Sequence, residues 1–132
     1  MDSTILVVED DPYLREVISE VLSDEGYHVY EAMDGKRALE RIETIAPDLV
    51  LSDIRMPRLT GIELAEQLNQ RREPIPIVLM STSSNAPPGG GTTFLAKPFS
   101  LDDLVALVAR ILKTKKETLP GSDKFRNLAF LL

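Results

Sequence analysis

Leu49-Val50-Leu51-Ser52-Asp53, continuing as Ile54-Arg55-Met56-Pro57, is the stretch whose reading decides the fold. Three apolar residues run into a small one, and a carboxylate stands where the run stops. A short apolar run bounded by turn signals reads as a strand buried on both faces, as in a parallel sheet. Pro47 and Pro57 punctuate it on either side. Asp53 then sits at the carboxyl end of a central strand, the edge where open α/β sheets bind ligands. On this stretch alone it reads equally as a cap for the next turn and as a reacting group.

Working outward, the same alternation repeats. Ile5-Leu6-Val7-Val8 reads as a first buried strand, ending in Glu9, Asp10 and Asp11, with Pro12 at the first position of a helix. Leu14, Val17, Ile18, Val21 and Leu22 keep helical spacing, and Gly26 is placed to end that helix. His28 to Ala32 reads as a second, more exposed strand. Asp34-Gly35 reads as a turn before a helix carrying Ala38, Leu39 and Ile42, closed by Ala46-Pro47. Beyond Asp53, Thr60 and Glu63 have capping-box spacing and open a helix with Leu64 and Leu68 inward. Arg71 and Arg72 read as its solvated C-terminal end. Ile75 to Met80 is a fourth strand, Phe94-Leu95-Ala96 a short fifth, and Ser100 caps a last helix with Leu104, Val105, Val108, Ile111 and Leu112. Strands alternating with helices predict a parallel sheet covered on both faces.

The bulk composition fits one soluble domain with a single core: 132 residues, 43% hydrophobic and 27% charged. A net charge of −6 argues against direct nucleic-acid binding, which asks for a basic stripe. Without cysteine there is no disulfide, thiolate metal site or cysteine nucleophile. No apolar run approaches a membrane span and no signal peptide fits the start, so the expected location is cytoplasmic.

Four strand ends carry chemistry on one edge: Glu9 and Asp10, Asp53, Ser81, and Lys97. Three crowded carboxylates repel, and one takes a proton unless a cation enters. Oxygen ligands favour Mg²⁺ or Mn²⁺ over zinc. An Asp beside such an ion, with a Lys and a hydroxyl opposite, suits a phosphoryl acceptor. The Asp is the nucleophile and the others stabilise charge on the transferred group.

Val7-Val8-Glu9-Asp10-Asp11-Pro12, Leu51-Ser52-Asp53-Ile54-Arg55-Met56-Pro57 with Gly61, Met80-Ser81 and Lys97-Pro98-Phe99 together resemble the receiver domain of two-component response regulators, the CheY-like domain. The resemblance covers about residues 3 to 116. It implies a flavodoxin-like, doubly wound five-stranded parallel sheet of order 2-1-3-4-5. Asp53 resembles the phosphoacceptor, and Asp10 a direct Mg²⁺ ligand with Glu9 acting through water. The backbone carbonyl of Arg55 resembles a further metal ligand. Lys97 resembles the lysine that contacts acceptor and phosphoryl group, in a cis bond to Pro98. Ser81 resembles the switch hydroxyl and Phe94 the aromatic switch residue, where Tyr is commoner. The resemblance places Arg55 and Ser83 beside the path of the water that hydrolyses the acyl phosphate. The function implied is a phosphorylation-dependent switch in a two-component phosphorelay, fed by a sensor histidine kinase or phosphotransfer protein. It modifies itself and is not an enzyme with turnover on a substrate.

Blander readings stand beside these. Glu9, Asp10 and Asp11 would serve as caps for the first helix, Lys97 as a solvated lysine, Phe94 as core, and His28 as a surface histidine. Gly89-Gly90-Gly91 lacks the Lys-Ser/Thr of a phosphate loop. Two rival functions are an interaction module that no longer uses phosphorylation and a metal-dependent phosphatase with an aspartyl nucleophile. Such phosphatases often carry a second acid two residues on, where this chain has Arg55.

The chain departs from the family twice. Between Ser81 and Lys97 two prolines and three glycines stand where a fourth helix is usual, so that helix is expected to be missing or degenerate. The tail carries Phe125, Leu128, Phe130, Leu131 and Leu132. The expected organisation is a receiver domain at 1–117 and a C-terminal tail or linker at 118–132, as a stand-alone receiver or a fragment cut in a linker. The surface uncovered by the lost helix is expected to be buried by that tail or by a second subunit in a homodimer.

Overall fold

The computed structural model describes residues 2–82 and 91–117. Five strands, β1 (Thr4–Val8), β2 (His28–Ala32), β3 (Leu49–Asp53), β4 (Ile77–Ser81) and β5 (Thr92–Ala96), form one parallel sheet of order β2-β1-β3-β4-β5. Helices α1 (Pro12–Asp24), α2 (Gly35–Ile45), α3 (Gly61–Asn69) and α4 (Leu101–Glu117) cover its faces. The expected fold and strand order are the observed ones. Among the described residues no helix stands between β4 and β5. The expected loss of a fourth helix rests on residues 83–90, which lie outside the described ones, as do Ser83 and the tail from 118 to 132.

Strand alternation divides the core. Leu6, Val8, Val50 and Leu79 point toward α2 and α3, where Ala38, Ile42, Leu64 and Leu68 meet them. Ile5, Val7, Leu49, Leu51, Val78 and Met80 point the other way, onto Ile18 and Leu22 of α1 and Leu104, Val108 and Leu112 of α4. The central strands are apolar on both faces because both faces are covered.

Local signals fix the helix ends. Asp11 accepts hydrogen bonds from the Tyr13 and Leu14 amides at the start of α1, with Pro12 beside it. Gly26, at φ 99°, supplies the left-handed turn after that helix. The Thr60–Glu63 capping box closes in both directions. Two boundaries differ from expectation. Asp34 is not a free turn residue but the N-cap of α2, accepting from the Arg37 amide at 2.8 Å. Arg71 lies beyond the end of α3, and its guanidinium pairs with Glu43 of α2 at 2.6 Å rather than standing in solvent.

Candidate functional site

The sheet order changes direction between β1 and β3. The loops leaving their carboxyl ends diverge there and open a crevice. Glu9 and Asp10 follow β1 on one side, and Asp53 closes β3 on the other. Carboxylate oxygens of all three lie within 4.8 Å of one another. Lys97 reaches in from beyond β5, with Nζ 3.2 Å from Asp53 Oδ1 and 3.8 Å from Glu9 Oε1. Its own amide donates to the Ser81 carbonyl at 2.8 Å, which ties the β5 end to the β4 end. The Lys97–Pro98 bond is cis. Asp53, Ile54, Arg55, Ser81, Thr82 and Lys97 line a small cavity of about 120 Å³, room for a phosphoryl-sized group.

Asp11 does the capping of α1, which leaves Glu9 and Asp10 unused by that helix. They are therefore not explained as helix caps, and the ion-paired Lys97 is not a solvated lysine. His28 is an exposed strand residue, with Asp2 at 3.4 Å. Phe94 is half-buried on β5, in register with Leu79 of β4.

Glu9 is the deepest acid, 2% exposed. Burial pushes its carboxyl from an ordinary 4.5 up to about 7; the Asp11 amide opposes this, and the Asp10 and Asp53 carboxylates add to it. Its Oε2 accepts from the Asp11 amide at 3.1 Å. Its Oε1 is buried and makes no hydrogen bond among the described residues. An unsatisfied buried oxygen inside a ring of hard oxygen donors fits a small divalent cation such as Mg²⁺.

Three further residues have roles that only the structure shows. Arg15, on α1, donates to the Glu9 backbone carbonyl at 2.7 Å and steadies the loop that presents the acids. Thr82 lines the cavity beside Ser81. Gly61 is the third. A Cβ there would meet the Asp53 carbonyl oxygen at 2.3 Å and Ile54 Cα at 2.9 Å, so the start of α3 packs directly on the loop leaving β3. Of these, only Gly61 stands in the motif that carries the resemblance.

The raised Glu9 pKa makes a stability prediction for protein held free of divalent metal. Between about pH 4.5 and 7 the folded state binds more protons than the unfolded one, so stability falls as pH rises through that window. The full effect is on the order of 3 kcal/mol. Melting curves with a chelator should show this decline in the parent protein and a flatter profile in Glu9→Gln. An unchanged slope in the variant would refute the assignment.

The sequence profile of the family described as response regulator receiver domain matches residues 5–109. Among curated proteins, the response regulator MprA of Mycolicibacterium vanbaalenii is 36% identical over 119 residues, covering 86% of this chain and 52% of the relative. The chain thus spans about half the length of that relative. The hybrid signal transduction histidine kinase D of Dictyostelium discoideum is 37% identical over 120 residues, which is 85% of this chain and 8% of the kinase. Among solved structures, the signal receiver domain of a signal transduction histidine kinase from Syntrophus aciditrophicus superposes with a TM-score of 0.80. It is 29% identical, and the match covers 89% of this chain and 96% of that one. The receiver domain of the hybrid histidine kinase CckA gives 0.72 at 33% identity, with 83% and 98% covered. The profile match over most of the chain, the fold and the acidic crevice agree: the chain belongs to the response regulator receiver domain family.

Proposed function

We propose that this domain is a phosphorylation-dependent switch whose acceptor is Asp53, with a sensor histidine kinase or phosphotransfer protein as the donor. The observation that carries the reading is Lys97 Nζ at 3.2 Å from Asp53 Oδ1, inside the ring formed with Glu9 and Asp10. A bond forms between an Asp53 carboxylate oxygen and phosphorus while the donor's bond to phosphorus breaks, and the electron pair leaves with the donor. Lys97 neutralises charge on the transferred oxygens, and the Ser81 hydroxyl, beside it in the cavity, donates a hydrogen bond to them after transfer. Glu9, Asp10, Asp53 and the Arg55 carbonyl would hold Mg²⁺, or Mn²⁺ in its place. The ion supplies charge neutralisation for the phosphoryl oxygens when bound.

The new charge shifts an equilibrium between two conformations that Ser81 and Phe94 report to the β4–β5 side of the sheet. Arg55 lines the cavity and shields the acyl phosphate from water, and Ser83 is assigned a part in the same lifetime control. The domain changes its own state and has no turnover on a separate substrate. The receiver unit spans 1–117, with 118–132 as tail or linker. No helix among the described residues is long and apolar enough to cross a membrane, which suits a cytoplasmic switch.

Incubation with a small acyl phosphate and Mg²⁺, followed by intact mass and peptide mapping, tests this directly. One phosphoryl group should appear, on the peptide containing Asp53, and chelation should prevent it. A phosphoryl group mapped to another residue would overturn the assignment.

A further inference from the structure

A second cleft, of about 430 Å³, opens at the carboxyl end of β2 and takes no part in the chemistry above. Its walls come from α1 through Arg15, from the β2 end through Glu31, Ala32 and Met33, and from α2 through Arg37 and Arg41. Three guanidiniums face one carboxylate there, in a chain whose net charge is −6. Arg37 and Arg41 stand four residues apart and so share one face of α2.

The three arginines are not equally committed. Arg15 spends Nε on Glu31 at 3.1 Å and one terminal nitrogen on the Glu9 carbonyl. Arg41 donates to the Glu31 carbonyl and lies over the Tyr30 ring, 5.6 Å from its centroid. Arg37 is exposed, and among the described residues its guanidinium has no carboxylate partner. Glu31 thus leaves the cleft with more positive charge than it can neutralise. Guanidinium forks match phosphate oxygens in pairs, and the hollow has room for a small molecule. Tyr30, exposed beneath the Arg41 guanidinium, offers an aromatic surface next to the cleft wall.

We propose that this cleft binds a phosphate-bearing small molecule, with Arg37 as its principal contact and Arg15 and Arg41 as flanking donors. The site meets the surroundings of the acidic crevice only through Arg15, which also holds the Glu9 carbonyl, and does not depend on the assignment of Asp53.

The test is calorimetric titration of the full chain with inorganic pyrophosphate, in chelator and at low salt, so that no metal-bridged binding beside Asp53 contributes. Saturable binding at one site is expected. Arg37→Ala should weaken it about tenfold and Arg37→Glu should remove it, with the melting temperature of both variants close to the parent's. Phosphorylation by an acyl phosphate should be unchanged in both. A nucleoside diphosphate titrated in parallel distinguishes the sources of the phosphate. Tighter binding that is lost in Tyr30→Ala marks a nucleotide, and affinity equal to pyrophosphate marks the phosphate alone; either supports the site. Absence of saturable binding, undiminished binding in Arg37→Glu, or displacement of pyrophosphate by an equal concentration of tetraglutamate would overturn the proposal.

Discussion

Asp53→Asn is expected to abolish phosphorylation while leaving the fold intact. Asn has the same shape and keeps the β3 register with Met80, but its amide is not a nucleophile. The neighbouring acids are poor substitutes. Glu9 is buried with its carboxyl driven toward the protonated form, and neither Glu9 nor Asp10 lines the small cavity that Asp53 shares with Ser81, Thr82 and Lys97. Removing a nucleophile of this kind should cost at least about a hundredfold in rate. Intact mass after exposure to an acyl phosphate and Mg²⁺ reads the result, and backbone amide spectra check the fold. Phosphoryl transfer persisting in Asp53→Asn at the parent's rate would rule out Asp53 as the acceptor.

Gly61→Ala should give the largest loss of stability from a single methyl group. The methyl carbon would fall 2.3 Å from a backbone oxygen and 2.9 Å from a backbone carbon, both in the loop that leaves Asp53. Neither is the end of a flexible side chain, so backbone must move. Gly61 also donates its amide to the Ile54 carbonyl at 2.8 Å, and that bond would open with the shift. Overpacking of this kind costs about 3 kcal/mol. Since the same shift displaces Asp53 from Lys97, phosphorylation should slow together with the fall in melting temperature. Thermal melts and the acyl phosphate assay measure the two effects. A Gly61→Ala protein with the parent's stability and rate would show that α3 does not pack on that loop as described.

Legibility in the sequence depended on how local each feature is. The run into Asp53 reads correctly because a strand covered on both faces must be apolar on both faces. The Thr60–Glu63 box reads correctly because cap and partner lie within one turn. Asp34-Gly35 misleads for the same local reason: an Asp before a Gly serves a turn and a helix cap with the same side-chain acceptor, and only the Arg37 amide decides between them. Arg71 reads as a helix end, but its partner Glu43 comes from α2, which no local pattern announces. The catalytic candidates are legible through their position at strand ends and their resemblance to a family. The depth of Glu9, which sets its proton affinity, is a property of packing and is not written in the spacing. Arg15 is not legible in the sequence because a side chain reaching a carbonyl leaves no pattern in the residue that accepts.

The guanidinium of Arg41 has a consequence beyond the cleft. β2 is an outer strand of the sheet, and backbone groups of successive residues point alternately toward and away from the neighbouring strand. The His28 amide and Ala32 carbonyl pair inward with the β1 side, so the outward rungs of β2 are those of Val29 and Glu31. Arg41 occupies the Glu31 carbonyl. An open rung is a template on which another chain can add a strand, and a charged group seated on it blocks that addition. The arginine that helps to shape a cleft for anions thus also closes one rung of the sheet's outer edge to edge-to-edge pairing with another chain.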